Sequence, residues 1–372
     1  MLPLSGIRVL DFSTLLPGPL AGLLLAESGA DVIKIERPGV GDEMRTYQPR
    51  FGADSVNFAL LNRGKQSVVL DLKAPDAIAR ITPLIKSADV LIEQFRPGVM
   101  DRLGLGYETV QKINPRLVYC SITGFGQNGP RRDMAGHDLN YLALAGLLSL
   151  TVDTTGAPSM PHTPIADIAG GSYPAVINIL LALLQRQRTG RGTYLDISMT
   201  DNMFVLSYWG LGAGFAAGDW PRPGAALTTG GSPRYRIYRT SDGGYLAVGA
   251  IEQRFWDVFC RLIDLDPAAR DDARNPGATT AAVAARIATH PVAHWRQLFE
   301  SQDVCCAAVA SLDEAVRHPH VAARKLFHRR VRDGSNSIPA LPVPISEALR
   351  DPAEVKSAPR LGADKALLTS RP

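Results

Sequence analysis

The chain has 372 residues, 45% of them hydrophobic and 20% charged, with a formal net charge of +4. That length is generous for one core and predicts two domains in an ordinary globular protein. The positive charge is spread rather than gathered, which excludes a concentrated duplex-binding surface but suits an anionic small ligand where several cations meet.

Arg8–Phe12 reads as a short buried strand, 20–28 as a helix stopped by Gly29, and Asp31–Glu36 as a second strand. This βαβ unit predicts parallel strands with a right-handed crossover. Strands at 67–72, 89–95 and 117–123 alternate with helices at 75–87 and 99–113, so the first part is an α/β domain with a parallel sheet. An apolar helix is expected over 142–150. A long helix should open at Asp167 and end at Thr189–Gly192, followed by a strand at 193–199 and a helix at 202–217. Trp220–Pro233, rich in Pro, Gly and Thr, reads as a linker or binding loop. Tyr235–Arg239 and Tyr245–Ala250 flank Ser241-Asp242-Gly243-Gly244 as a hairpin, and helices near 253–263, 281–288 and 291–301 complete a small α+β domain. The expected boundaries are 1–200 for the large domain, 201–233 for a linker, 234–329 for the small domain, and 330–372 for an extended return segment.

The N-terminus lacks a charged n-region and a signal core, and the apolar runs 139–150 and 175–184 are shorter than a membrane span, so a cytoplasmic protein is expected. Cys120, Cys260, Cys305 and Cys306 show neither metal-ligand nor redox spacing, and the adjacent Cys305 and Cys306 read as buried small apolar residues. No histidine spacing suggests a metal, and no serine-hydrolase elbow is present. Gly124-Phe125-Gly126-Gln127-Asn128-Gly129 matches a dinucleotide fingerprint in letters, but Pro130-Arg131-Arg132-Asp133 opens no apolar helix after it. These glycines read instead as a loop over an active site.

The residues that invite chemistry begin with Asp167, just ahead of Gly170-Gly171 and the apolar run Tyr173–Leu184. Two readings stand there: an N-cap aspartate, or a carboxylate beside free helix N–H groups that meets a reacting group. His137 lies in Gly136-His137-Asp138-Leu139-Asn140-Tyr141, where a structural His–Asp pair is the plain alternative. Glu252 ends the hairpin strand, where a helix N-terminal carboxylate is the plain alternative. Arg37, Arg63 with Lys65, and Arg96 sit in loops beside strands, and their repeated placement suggests convergence on a polyphosphate.

Taken together, Leu10-Asp11-Phe12 with Pro17-Gly18-Pro19, Gly29–Gly39, Asn62-Arg63-Gly64-Lys65, Phe95-Arg96-Pro97-Gly98, Thr189-Gly190-Arg191-Gly192 and His318–Arg324 resemble the family III CoA-transferase (CaiB/BaiF) superfamily. The likeness covers nearly the whole chain. It implies a Rossmann-like large domain formed by both chain ends, a small inserted domain, and two chains interlocked as rings in a homodimer. It also implies an acyl-CoA thioester as partner, with Arg37, Lys65 and Arg96 as CoA contacts and with no cofactor required beyond the CoA of the substrate. No nucleic-acid or membrane partner is expected. Gly136–Tyr141 and Val248–Glu252 resemble segments of the α-methylacyl-CoA racemases. That resemblance implies proton transfer at an α-carbon by Asp167 and His137, assisted by Glu252. The transferases share the aspartate, so CoA transfer through an aspartyl-CoA is the alternative.

Overall fold

A computed structural model describes residues 1–153 and 155–368. The chain divides into two compact units. The first comprises residues 1–147, 160–206 and 322–368, and the second comprises 148–153, 155–159 and 207–321.

The first unit is built on a six-stranded, fully parallel sheet. Its strands are β1 (Arg8–Asp11), β2 (Asp31–Glu36), β3 (Gln66–Val69), β4 (Val90–Glu93), β5 (Val118–Thr123) and β6 (Tyr194–Ser198). Their order is 3-2-1-4-5-6, with Leu10 registered against Ile33 on one side and Leu91 on the other. All six residues of β5 are buried, as expected of a parallel sheet covered on both faces. Helices α1 (Pro17–Glu27), α2 (Ala77–Ser87), α3 (Tyr107–Ile113), α4 (Asp138–Leu144) and α5 (Tyr173–Thr189) connect and cover it. Ile81 and Ile85 of α2 and Val110 of α3 pack with Leu10, Ile33, Val68 and Leu91. On the face where Asp11 points, Gly22 lets α1 come close to the strand.

The second unit carries an antiparallel sheet of β7 (Tyr235–Arg239), β8 (Tyr245–Gly249) and β9 (Cys306–Ala308), in the order β9-β8-β7. Helices α6 (Gln253–Leu262), α7 (Pro276–Ile287) and α8 (Val292–Phe299) bury Trp256, Phe259, Val283 and Trp295 against Leu246 and Val248.

Several expected elements differ, each for a local reason. The helix expected over 99–113 is two pieces, because Gly104 takes a left-handed backbone (φ +73°) and frees Leu105 to enter the core. The helix expected over 142–150 breaks at Gly146 (φ +80°). The return segment is not simply extended. It holds β10 (Arg330–Asp333), β11 (Asn336–Pro339) and β12 (Val355–Lys356), and Leu368 joins the first unit's core. Cys305 is exposed with φ +48° and Cys306 is only half-buried, unlike the expected buried pair.

The long helix starts one turn earlier than its apolar run. Ala166–Ser172 forms a π-helical turn fused to α5, giving a 24-residue helix long and apolar enough to cross a membrane by length and composition. Ala175, Ile179, Ala182 and Leu183 of that helix are nevertheless buried, and it packs on β5 and β6.

Candidate active site

Strand order reverses between β1 and β4, and in open parallel sheets that is where a crevice opens beyond the carboxyl ends. Residues 12–16 follow β1 there, and residues 94–97 follow β4. A buried frame of charges holds the first of these loops. The Lys34 Nζ pairs with Asp42 Oδ2 at 2.9 Å and donates to the Ser13 carbonyl at 2.6 Å. Asp42 Oδ1 accepts from the Leu15 N–H at 3.1 Å, and Leu15 sits at φ +63°, an uncommon place for a leucine.

Lys65 belongs to the same frame, which corrects its expected role as a CoA contact. Its ammonium pairs with Asp11 Oδ2 and donates to the Pro19 carbonyl and Asn62 Oδ1, each at 2.9 Å, with a fully buried side chain. Burial brings the Lys65 ammonium down to about 8 against the pull of Asp11. Burial likewise opposes ionisation of Asp11, but Lys34 and Lys65 outweigh it and hold that carboxyl at about 2. Lys65 therefore has no donor to spare for a phosphate. Arg63 is likewise committed, to buried Glu27 at 2.8 Å.

Two cavities flank the crevice and share Phe95 as a wall. One, of about 360 Å³, has Ile35, Leu70, Leu72 and Leu103 among its apolar walls. The exposed side chains of Arg37 and Lys73 line it too. The second cavity, of about 270 Å³, gathers Gln94, Arg96, Thr123, Phe125, His137 and Asp167.

Asp167 is the second residue of the π-helical turn and not its N-cap; that position belongs to Ile165. The Asp167 N–H donates instead to Asp138 Oδ1 at 2.9 Å. No described residue donates a hydrogen bond to the Asp167 carboxylate. Burial, with the Asp138 charge adding to it, pushes that carboxyl up to about 6. The residue therefore changes its ionisation around pH 6 and stands mostly as the carboxylate at neutrality, a useful condition for a base that takes a proton. The free N–H groups expected beside it are taken: Asp167's by Asp138, and Ile168's by the Pro164 carbonyl at 3.3 Å.

The paired glycines explain how this turn fits. A Cβ on Gly170 would lie 2.4 Å from the Met199 carbonyl oxygen, and one on Gly171 would lie 3.0 Å from Pro17 Cβ. The close approach they permit is therefore made by the chain itself. Ser172 Oγ donates to the Pro17 carbonyl at 2.8 Å and ties the turn to the start of α1.

The segment 136–141 orders His137. It is the N-cap residue of α4, and its backbone N–H donates to Asn140 Oδ1 at 3.0 Å. The Tyr141 hydroxyl donates to the Gly136 carbonyl, and its ring fills the space left by Gly124 and Gly136. The imidazole is exposed, lines the cavity, and makes no hydrogen bond among the described residues. Asp138, which the sequence offers only as a structural partner of His137, accepts the N–H of Asp167 and adds to the burial that raises its carboxyl. The letter pattern gave its neighbours but not that contact.

Glu252 lies in the second unit, exposed at the N-cap of α6. A separate cavity of about 1160 Å³ in that unit is lined by Tyr235, Arg236, Cys305 and Cys306 among others. Among the described residues no cluster of three or more His, Cys, Asp or Glu residues could hold a metal ion.

The parallel α/β sheet thus carries a carboxylate and an imidazole, two groups able to move protons, in one cavity at its switch point. The family model for CoA-transferase family III matches residues 4–365, and the chain belongs to that family. It is 38% identical to human alpha-methylacyl-CoA racemase over 331 residues, covering 87% of this chain and 82% of that protein. It is 34% identical to acetyl-CoA:oxalate CoA-transferase of Acetobacter aceti, covering 98% and 95%. A crystal structure of a CaiB/BaiF family protein from Brucella suis superposes with a TM-score of 0.85 at 29% identity, covering 99% of this chain and 98% of that one. The fold and the enzyme family are thereby shown, and the relatives divide between racemases and transferases.

Proposed function

We propose that the protein is an acyl-CoA racemase or epimerase that moves a proton at the α-carbon of a 2-methylacyl-CoA thioester. The observation that carries this reading is the pairing in one cavity of the Asp167 carboxyl, poised at about 6, with an unencumbered His137 imidazole. Inversion needs a proton carrier on each face of the carbon. One carrier takes the α-proton, and the electron pair left behind delocalises onto the thioester oxygen. The carrier on the other face returns a proton to the same carbon. Each such group contributes about 10²–10⁴-fold. Asp167 and His137 fill these roles, while the part given to Glu252 rests on the racemase resemblance alone.

The CoA moiety arrives as part of the substrate, and no separate cofactor enters this scheme. Its adenosine and phosphates suit the neighbouring cavity, where apolar walls meet Arg37 and Lys73, while Arg96 stands at the acyl side. The protein is proposed to act as a homodimer. Tyr173, Ile177, Leu180, Leu181 and Leu184 form an exposed apolar row on α5 that invites a second copy.

The test is isotopic. Incubated in heavy water with a 2-methylacyl-CoA, the protein should place deuterium at the α-carbon. The transferase reading has support of its own, since a carboxylate that accepts no hydrogen bond from the described residues is also free to attack a thioester carbonyl. It predicts ping-pong kinetics and a trappable Asp167 adduct, with His137→Ala tolerated. Transfer without exchange would replace the racemase reading.

A further inference from the structure

We infer that the side-chain amide of Gln94 is the donor that holds the acyl carbonyl oxygen beside Asp167, which makes Gln94 a catalytic residue. The inference rests on the reading that an acyl-CoA thioester occupies this cavity. Gln94 directly follows β4, at the point where the strand order reverses, and lines the cavity that holds Asp167 and His137. Its Oε1 accepts the Gly18 N–H at 3.0 Å. A backbone N–H can only donate, so that contact decides which end of the amide is oxygen. The NH₂ end is left over, and no described residue accepts from it.

The neighbouring backbone N–H groups are spent or missing, and the Thr123 hydroxyl, which lines the same cavity without a hydrogen-bond partner, is a second neutral donor but is not fastened by a hydrogen bond as Gln94 is. The Asp167 N–H goes to Asp138 and the Ile168 N–H to Pro164. Pro17 and Pro19, at the start of α1, have no N–H to offer, and the Gly18 N–H between them is the one that fixes Gln94. Arg96 and Arg132 line the cavity as exposed guanidiniums. Arg132 pairs with its neighbour Asp133 at 3.5 Å, and neither arginine is tied to the scaffold as Gln94 is. A donor held in place before reaction is the kind that stabilises developing charge most.

The chemistry asks for such a donor. When the α-proton leaves for its base, the C–H electron pair becomes the C=C bond of the enolate and the carbonyl π pair moves onto oxygen. The Gln94 N–H meets that negative charge, and the flow reverses when the opposite carrier returns a proton. In CoA transfer the same oxygen becomes negative when Asp167 adds to the carbonyl.

The test is Gln94→Glu, which keeps the shape and the acceptor for Gly18 but puts an oxygen in place of the donor. Expected results are an unchanged melting temperature, a KM within a few-fold of the parent, and a kcat lower by about 10²–10³-fold in whichever reaction the parent performs. A rate within a few-fold of the parent overturns the inference. A second readout needs no turnover. The parent should bind propionyl-CoA about 3- to 10-fold more tightly than S-propyl-CoA, which lacks the carbonyl oxygen, and Gln94→Glu should bind both alike. If the two proteins discriminate equally, or the parent does not discriminate, Gln94 does not hold the oxygen. If the parent catalyses neither exchange nor transfer, the functional reading falls while the binding pair still decides on Gln94.

Discussion

Replacing Asp167 by Asn should make the protein more stable while abolishing its chemistry. The carboxyl sits at about 6 in the fold against an ordinary value of 3.8, because burial and the Asp138 charge disfavour its ionised form. A raised carboxyl costs stability once it must ionise, so the cost is absent below pH 4, grows between pH 4 and 6, and is complete above 6. The two-unit difference corresponds to about 3 kcal/mol at most. Partial exposure of the side chain reduces this to ~2 kcal/mol. Asparagine removes the charge at nearly constant volume, and no hydrogen bond from a described residue to the carboxylate is lost with it. Urea unfolding of parent and variant at pH 8 and pH 4 measures the effect directly. The variant should be more stable by about 2 kcal/mol at pH 8 and by well under ~1 kcal/mol at pH 4. In the parent, the rate should rise with pH through about 6 as the base ionises. A variant no more stable than the parent at pH 8, or with equal gains at both pH values, would show that the carboxyl is not strained. The account of a poised base would go with it.

Lys65→Met should destabilise the protein by about 3–5 kcal/mol, because Asp11 would be left buried without one of its two ammonium partners; chemical denaturation reads it, and a loss confined to CoA affinity would restore Lys65 to the ligand. Thr123→Val should raise stability by about 1 kcal/mol, since the Thr123 hydroxyl is buried without a hydrogen-bond partner. A melting temperature below the parent's would contradict that. Leu181→Glu combined with Leu184→Glu, on the exposed row of α5, should shift the sedimentation of the proposed homodimer toward monomer. A variant that stays dimeric removes this face from the interface.

The sheet was legible because its strands are short apolar runs spaced by helices, and a βαβ alternation admits few topologies. The reversal between β1 and β4 follows less directly, since periodicity does not say on which side of β1 the third and fourth strands add. His137 and Asp167 were legible through the order of letters around them, and the structure supplies the reason for those letters. Asn140 fastens the backbone of His137, Tyr141 closes on Gly136, and Asp138 reaches the N–H of Asp167. What the letters could not carry is which side of the chain's own surface a cation faces. Lys65 and Lys73 both stand in loops beside strands, and nothing in their neighbours separates them. The difference lies 43 residues before Lys65: a Cβ on Gly22 would lie 2.9 Å from the Lys65 Nζ, so the missing side chain makes the space into which that ammonium is buried.

The same long-range logic bears on how the site is divided. Lys34 and Lys65 neutralise Asp11 and Asp42 inside the wall, Lys65 with all three of its donors and Lys34 from a fully buried position, so the loop after β1 is held by charges turned into the protein. The cations left for an anionic ligand are the exposed ones, Arg37 and Lys73 in one cavity and Arg96 and Arg132 in the other. Among the described residues Asp167 has no ion-pair partner, and it lies next to a second carboxylate, Asp138. A carboxyl so placed takes up a proton at about pH 6, whereas Asp11, held at about 2, stays ionised there. Two aspartates in one unit thus have opposite tasks, and the separation of the lysines from the reacting cavity is what keeps them apart.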